Sequence, residues 1–146
     1  MNPTQVYLTQ TDTTVGFLSQ NSTQLAQIKQ RDKKKPFLMS VDSLRTLKTL
    51  TRVRNIHKKM IRRATKTTFV FSNTLAIRVV KDPTHLRFLK KIKWAYSTSS
   101  NASGQAFDLP FALRHADVIL YTKSGFEEKE ASCIIKCGRI SKRRLR

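Results

Sequence analysis

Short apolar stretches recur along this chain, separated by segments rich in Thr, Ser, Asn and Asp. Apolar residues that alternate with polar ones are typical of half-buried β-strands. The pattern predicts strands over residues 5–9, 15–19, 37–41, 67–72, 75–81, 95–99, 117–122 and 132–137. Asn73 and Thr74 leave only a short connection between two of these strands, which indicates a hairpin.

Apolar residues three or four positions apart predict helices between the strands. Asn21 and Ser22 offer a cap for the first helix, and Asp42 is expected to cap the second. Asp82 followed by Pro83 is a typical helix start. The expected buried sets are Leu25 and Ile28; Leu44, Leu47 and Leu50; Val53, Ile56, Met60 and Ala64; and Leu86, Leu89 and Ile92.

Strands and short helices therefore alternate, which predicts a mixed α/β fold. A length of 146 residues suits one domain, and we expect it to cover residues 1–146. No apolar run approaches the roughly 18 residues that cross a bilayer. The first ten residues also lack the pattern of a secretory signal. We therefore expect a cytoplasmic protein that does not associate with membranes.

Charge is the compositional outlier of this sequence. Lys and Arg total 29 against nine Asp and Glu, which gives a formal net charge of +20. Such an excess favours polyanionic partners, namely nucleic acid, nucleotide phosphates or anionic lipid. The alternative is that Lys and Arg simply cover solvated faces.

The metal-ligating residue types show no metal-site pattern. Cys133 and Cys137 are expected to be reduced packing residues of a strand. His57, His85 and His115 are scattered and have no His or Cys at metal-ligand spacing. The sequence therefore predicts no metal site.

Three segments carry candidate chemistry. Lys29, Arg31 and Lys35 follow a predicted helix. They can bind phosphate oxygens at the rim of a pocket, or they can be part of a solvated surface. A Ser- and Asn-rich turn over residues 97–104 lets backbone N–H groups approach an anion, although taken alone it fits an ordinary loop better. Arg78 ends an apolar strand, where it can clamp a carboxylate or remain an edge charge. No Walker, Rossmann or hydrolase-nucleophile motif occurs.

Five segments, taken in order, resemble the signatures of the Sua5/YciO/YrdC family. Residues 10–16 (Q-T-D-T-T-V-G) are similar to P-T-[DE]-T-x-Y-G, and residues 29–31 (K-Q-R) match K-x-R. Residues 74–78 (T-L-A-I-R) resemble the T-V-A-V-R strand, and residues 98–104 (T-S-S-N-A-S-G) resemble T-S-A-N-x-S-G. Residues 132–136 (S-C-I-I-K) are similar to S-T-I-I-D.

The resemblance implies a twisted, open, mixed sheet with helices and a concave basic pocket. It also implies a threonylcarbamoyl-AMP synthase, a nucleotidyltransferase that uses L-threonine, bicarbonate and ATP with magnesium. Partner enzymes would then transfer the threonylcarbamoyl group to an adenosine of tRNA. No side chain is expected to act as a covalent catalyst, since the reaction needs mainly positioning and charge neutralisation.

Site residues follow from the same resemblance. The ATP-binding positions would be Lys29, Arg31, Lys35, Thr74 and Asn101, with Lys142 in place of a C-terminal family arginine. The threonine-binding positions would be Thr11, Ser40, Arg78, Ser99 and Ser132, with Arg78 on the carboxylate.

The chain also departs from the family pattern. The P-G-P motif is replaced by Ala64, Thr65 and Lys66, and Val15 stands where the first signature has Tyr. The chain is shorter than usual, and its positive charge exceeds what a pocket needs. These departures keep open a second hypothesis, a weakly active or non-catalytic protein that binds tRNA or double-stranded RNA.

Overall fold

The computed structural model describes residues 1–32, 35–122 and 125–146. In these residues the strands are β1 (Tyr7–Gln10), β2 (Val15–Ser19), β3 (Leu38–Val41), β4 (Thr67–Val70), β5 (Ala76–Val79), β6 (Trp94–Ser99), β7 (Val118–Leu120), β8 (Cys133–Cys137) and β9 (Lys142–Arg144). The helices are α1 (Ser22–Ile28), α2 (Leu44–Leu50), α3 (Asn55–Arg63), α4 (Pro83–Ile92) and α5 (Leu109–His115).

All the strands join one open mixed sheet in the order β7-β1-β2-β6-β3-β5-β4-β8-β9. The pairs β1/β7, β3/β5 and β4/β8 are parallel, and the remaining neighbours are antiparallel. This architecture confirms the α/β prediction.

The alternation of side chains along each strand divides the sheet into two faces. On the first, which we call face A, Met39 and Phe69 pack with Leu47 of α2 and Ile61 of α3. A second cluster with α1 and α5 lies on the same face, because Tyr96 packs against both clusters.

The opposite face, which we call face B, carries α4. Tyr7, Leu18 and Ala95 pack there against Phe88 and Leu89 of this helix. Helix α4 therefore covers the part of face B formed by β1, β2 and β6, whereas no helix belongs to a core cluster over β5, β4 and β8 on this face in the described residues. The uncovered part of face B is where a cavity can form.

Several predicted elements have the expected bounds or caps. Strand β2 spans Val15–Ser19 as predicted. Helix α4 begins at Pro83, and the Asp82 carboxylate accepts a hydrogen bond from the backbone N–H of His85 at 2.9 Å. Cys133 and Cys137 are free thiols of β8, and the Cys137 side chain lies in the core.

The predicted cap of α2 was wrong by one residue. Ser43 is the N-cap, and its Oγ accepts from the backbone N–H of Thr46 at 3.1 Å. Asp42 instead accepts a hydrogen bond from Ser43 Oγ at 2.9 Å and thus supports the cap from outside the helix.

The predicted apolar face of α3 was wrong at Ile56, whereas Val53, Met60 and Ala64 pack in the core as expected. The helix starts at Asn55, with His57 and Ile61 buried, while Ile56 remains 60% exposed. The apolar spacing placed Ile56 on the buried side, but the Nε2 atom of His57 lies 3.0 Å from the carbonyl oxygen of Gly138 and occupies that side instead.

Two elements carried no usable sequence pattern. Helix α5 spans only Leu109–His115. Strand β9 is Lys-Arg-Arg, which has no apolar alternation, and it forms through backbone pairing with β8. In the part of the chain that the structure describes, no helix is long and apolar enough to cross a bilayer.

Gly16 provides a test of how closely β2 and β6 approach. A Cβ added to Gly16 would lie 2.7 Å from the carbonyl oxygen of Thr98. We predict that Gly16→Ala lowers the free energy of unfolding by roughly 1–3 kcal/mol, because the two strands must separate. Urea titration measures the change. Gly138→Ala is the graded control, since its Cβ would meet Ser141 at 3.1 Å, and a larger loss there than at Gly16 would contradict the account.

Candidate functional site

A cavity of about 320 Å³ lies on the part of face B that α4 leaves open. Its lining comes from the β1–β2 loop, strands β2, β3, β4, β5 and β6, and the segment around β8, together with Arg146. The lining residues are Thr11, Thr13, Thr14, Gly16, Leu38, Thr68, Val70, Ala76, Arg78, Ser97, Thr98, Ser99, Ala131, Ser132, Ile134 and Arg146.

Strand alternation explains the composition of the cavity floor. Thr68 and Val70 alternate with the core residue Phe69 along β4, as Ala76 and Arg78 alternate with Ile77 along β5. Each strand therefore directs its middle residue, Phe69 or Ile77, into the core on face A. The residues on either side of it, one polar and one apolar, line the cavity.

A buried ion pair joins β5 to the β1–β2 loop. The Nη1 atom of Arg78 donates to Asp12 Oδ1 at 2.7 Å and to Thr13 Oγ1 at 2.9 Å. Both charged side chains are 5% exposed. Strands β6 and β3 lie between β2 and β5 in the sheet, so this contact spans the cavity floor and fixes the loop above it.

The surroundings of Asp12 favour its charged form. Burial raises the pKa of Asp12, but the hydrogen bond with His85 and the Arg78 guanidinium outweigh it and leave the pKa below its ordinary value. His85 is fully buried, and its Nδ1 lies 3.5 Å from Asp12 Oδ1. Burial lowers the pKa of Arg78, while the Asp12 carboxylate opposes that change.

Arg146 contributes a second guanidinium to the cavity. Its Nε donates to the carbonyl oxygen of Ser132 at 2.9 Å. The positive charge of Arg146 acts on Arg78 and lowers its pKa further. No ion pair of the described residues includes Arg146, so the cavity carries one guanidinium more than it has carboxylates to balance.

The structure brings together four of the five predicted threonine-binding residues. Thr11, Arg78, Ser99 and Ser132 line the cavity, although they lie on four separate segments. Ser132 Oγ is 3.0 Å from Thr68 Oγ1.

Ser40, the fifth residue of that set, is placed differently. It pairs with Arg78 in the β3/β5 register and is fully buried, but it does not line the cavity. Its Oγ has no hydrogen-bond partner among the described residues.

Two of the predicted ATP-binding residues meet at the rim of the cavity. Lys29 Nζ donates to Asn101 Oδ1 at 3.1 Å, to the carbonyl oxygen of Asn101, and to the carbonyl oxygen of Ser99 at 2.9 Å. An ammonium has three N–H donors, and here the turn after β6 occupies them. Burial, with help from the nearby Arg31 charge, lowers the pKa of Lys29 to about 8.

The other predicted ATP-binding residues do not line this cavity. Arg31 donates from Nη2 to the carbonyl oxygen of Pro36 at 3.0 Å, and its guanidinium lies 4.6 Å from the centre of the Phe37 ring. Lys35 is exposed, and Thr74 is exposed at the β4–β5 turn with φ of 64°. Lys142 lies on β9 and lines a different cavity.

Sequence reasoning missed four residues of the site: Asp12, Thr68, His85 and Arg146. Asp12 was visible in the first signature, but its partner Arg78 is 66 positions away. Thr68 is one Thr among several, and His85 is an isolated histidine. Arg146 stands in a tail of cations, where a sequence pattern gives no reason to choose it over Lys142.

The described residues offer no metal site of their own. In residues 1–32, 35–122 and 125–146, no three His, Cys, Asp or Glu side chains are grouped as possible metal ligands.

A family sequence model and several solved structures match this chain. The family model Sua5_yciO_yrdC, described as "Telomere recombination", matches residues 5–144. A search among curated protein sequences finds no match.

Solved structures of low sequence identity share the fold. A P. abyssi Sua5 variant has a TM-score of 0.81 at 15% identity, and the alignment covers 97% of this chain and 49% of the Sua5 chain. P. abyssi Sua5 complexed with L-threonine has a TM-score of 0.78 at 14% identity, covering 97% and 50%. E. coli YciO has a TM-score of 0.77 at 17% identity, covering 98% and 82%. The chain thus spans about half the length of the Sua5 chains it matches.

The Arg78–Asp12 pair predicts a large stability loss when one partner is neutralised. Asp12→Asn leaves a buried guanidinium without its counter-charge, which typically costs about 3–5 kcal/mol. Urea titration at pH 7 measures the loss. Glu127→Gln is the matched control, because the Glu127–Lys129 pair is largely exposed and should contribute at most about 1 kcal/mol.

The stabilisation from Asp12 should also depend on pH. The folded-state pKa of Asp12 lies below its ordinary value of 3.8, so the stabilisation is present above that pH and is lost as the pH falls through the folded-state value. The stability gap between wild type and Asp12→Asn should shrink in acid. Equal stability of the two proteins at pH 7 would contradict the proposed role of the pair.

The lowered pKa of Lys29 predicts a second effect of pH on stability, in the alkaline range. The folded chain loses the Lys29 proton near pH 8, whereas the unfolded chain keeps it to about 10.5. The unfolding free energy of wild type relative to Lys29→Met should therefore rise between these pH values. Denaturation at pH 7, 8, 9 and 10 tests this.

A guanidinium at position 29 provides the control, because it stays protonated over this range. The stability of Lys29→Arg relative to Lys29→Met should not change with pH. A wild-type curve that is equally flat would show that Lys29 does not titrate near pH 8.

Proposed function

This chain belongs to the Sua5/YciO/YrdC family, and we infer that it is an L-threonylcarbamoyladenylate synthase. The proposed reaction joins L-threonine, bicarbonate and ATP to give threonylcarbamoyl-AMP, pyrophosphate and water. The single observation that carries the proposal is the cavity on face B, which collects hydroxyls and two guanidiniums from segments far apart in the chain.

The cavity has the chemistry expected of a threonine site. A threonine carboxylate needs a cation, and Arg146 supplies a guanidinium without a carboxylate partner beside Arg78. The threonine hydroxyl and amine need small polar partners, which Thr68, Ser99 and Ser132 provide. The volume of about 320 Å³ suits a small substrate.

We assign Arg78 a different role from the one the family resemblance suggested alone. Its Nη1 is already occupied by Asp12 and Thr13, so it can offer only the remainder of its guanidinium. In our proposal Arg146 makes the main carboxylate contact, and Arg78 adds positive charge behind it.

The nucleotide side of the proposed site adjoins the turn after β6. Lys29 holds Ser99 and Asn101 through hydrogen bonds, and Arg31 lies close enough to affect the Lys29 charge. We propose that ATP phosphates bind along this turn, with Lys29 positioning the backbone of Asn101. Lys35 and Thr74 remain candidate contacts, since both lie on exposed segments.

The proposed chemistry needs charge neutralisation more than a nucleophilic side chain. Bicarbonate condenses with the threonine amine to a carbamate with loss of water, and the carbamate oxygen then attacks the α-phosphate as pyrophosphate leaves. Fixed cations stabilise the charge that builds up during that step. The product is the donor from which partner enzymes would modify an adenosine of tRNA.

The direct test is threonine-dependent pyrophosphate release. Purified protein is incubated with Mg-ATP, bicarbonate and either L-threonine or L-valine, which has a methyl group in place of the hydroxyl. We expect release with threonine and much less with valine, because an unpaired polar site rejects an analogue that lacks the hydroxyl. Absence of threonine-dependent release would reject the synthase.

Arg146→Ala tests the assigned carboxylate contact. Loss of a charged hydrogen bond is worth about 1.5–3 kcal/mol, so the threonine KM should rise by about tenfold or more. Arg143→Ala is the control, because it removes the same charge from the exposed part of β9. A KM that is unchanged in Arg146→Ala, or raised equally in both variants, would contradict the assignment.

A further inference from the structure

Positive charge is concentrated at one end of the sheet. Residues 43–81 and 131–146 hold seventeen of the 29 Lys and Arg and none of the nine Asp and Glu. These segments form α2, α3, β4, β5, β8 and β9, which are neighbours in the fold. The folded chain therefore has a region of one charge sign.

Much of this charge lies on face A, on the side away from the cavity. Helix α3 packs its buried residues His57 and Ile61 toward face A. Lys59, Arg62 and Arg63 are exposed on the rest of the helix, and no ion pair of the described residues includes them. We call the surface formed by α3 with residues 52–54 and 138–142 the basic groove.

Three arginines converge at the centre of the basic groove. Arg52, Arg54 and Arg139 line a cavity of about 180 Å³ together with His57 and Gly138. The 3.0 Å contact between His57 Nε2 and the Gly138 carbonyl oxygen holds α3 against the turn that carries Arg139. The same arginines also line an adjoining cavity of about 590 Å³, which includes Lys58.

These arginines repel one another, and the described part of the chain provides no carboxylate among the residues that line either cavity. Like charges held together cost free energy that a bound anion removes. Guanidinium groups fit phosphate oxygens through paired hydrogen bonds. The basic groove is therefore suited to phosphate groups.

The shape of the groove favours a chain of phosphates over a single ion. The cavity of about 590 Å³ continues past Ile56 and Ile140 into another of about 220 Å³ that reaches Lys142. Cations thus follow one another along three adjoining cavities. The aromatic rings in their lining are Phe71 and His57, which are only 3% and 5% exposed, so the groove has no exposed platform for base stacking.

We propose that the basic groove binds the phosphodiester backbone of a nucleic-acid strand, independently of base sequence. Arg52, Arg54 and Arg139 make the central phosphate contacts, and α3 continues the path with Lys58. This inference does not depend on the synthase proposal, because the groove and the cavity occupy opposite faces of the sheet. A membrane surface is a poorer fit, since only Ile56 and Ile140 are exposed and apolar in this groove.

Salt-dependent binding tests the proposal. Fluorescence anisotropy measures the affinity of the protein for a mixed-sequence RNA of about 24 nucleotides, and for the matching DNA, at several salt concentrations. Each phosphate contact contributes about 0.7 to the slope of log affinity against log salt for single strands. The triple variant Arg52→Ala/Arg54→Ala/Arg139→Ala should therefore lose a slope of about 2, for both RNA and DNA.

A charge-matched control separates a site from net charge. The triple variant Arg87→Ala/Lys90→Ala/Lys91→Ala removes three exposed cations from α4, on face B. We expect this control to reduce the slope by less than about half of the reduction caused by the groove variant. Equal losses in the two triple variants would overturn the proposal, because binding would then follow total charge. Tighter binding of phosphatidylserine vesicles than of RNA, lost in the groove variant, would overturn it in favour of a membrane surface.

A wild-type readout covers the case in which the groove variant does not fold. Amide hydrogen exchange compares the protein with and without the RNA. Slower exchange in α3 and residues 138–142 is expected, whereas protection confined to the cavity loop at residues 11–14 would overturn the assignment. Threonine-dependent pyrophosphate release by the folded groove variant separates failure of this inference from failure of the synthase proposal.

Discussion

The buried Arg78–Asp12 ion pair is the contact on which the candidate site depends. It connects β5 with the β1–β2 loop across two intervening strands, at a distance of 2.7 Å. Two charges buried together cost desolvation that their attraction must offset, and the Thr13 and His85 contacts help to do so. The pair thereby keeps the loop residues above the cavity floor, and it also uses part of the guanidinium that a substrate would otherwise bind.

Because Arg78 is neutralised by Asp12, other cations must provide the charge that is available to a ligand. Inside the cavity this cation is Arg146. On face A the available cations are the three arginines of the basic groove. Lys29 is intermediate, because its donors are occupied by the turn after β6 while burial lowers its pKa to about 8. The cations behind the net charge of +20 therefore have different roles. Some make structural contacts, and others lie in the cavity or in the basic groove.

The sequence predicted the elements whose stability comes from local patterns. Helix α4 has a capping Asp82 and a Pro at its start, and β2 has the expected bounds. Strand β9 was not predictable in this way, because its three cationic residues are held by backbone pairing with β8. The buried side of α3 depended on a contact between His57 and Gly138, 81 residues apart, which no helical periodicity contains. For the same reason the family signatures, which include Asp12, gave no sign of its pairing with Arg78. They also did not single out Thr68 or Arg146, which line the cavity.

We propose above all that the cavity on face B binds the carboxylate of L-threonine. A crystal structure of the protein with L-threonine at saturating concentration tests it most directly. The account predicts a threonine molecule whose carboxylate oxygens lie within about 3.2 Å of guanidinium nitrogens of Arg146 or Arg78, with its hydroxyl near Ser132 or Thr68. An empty cavity under those conditions, or threonine bound only elsewhere, would contradict it.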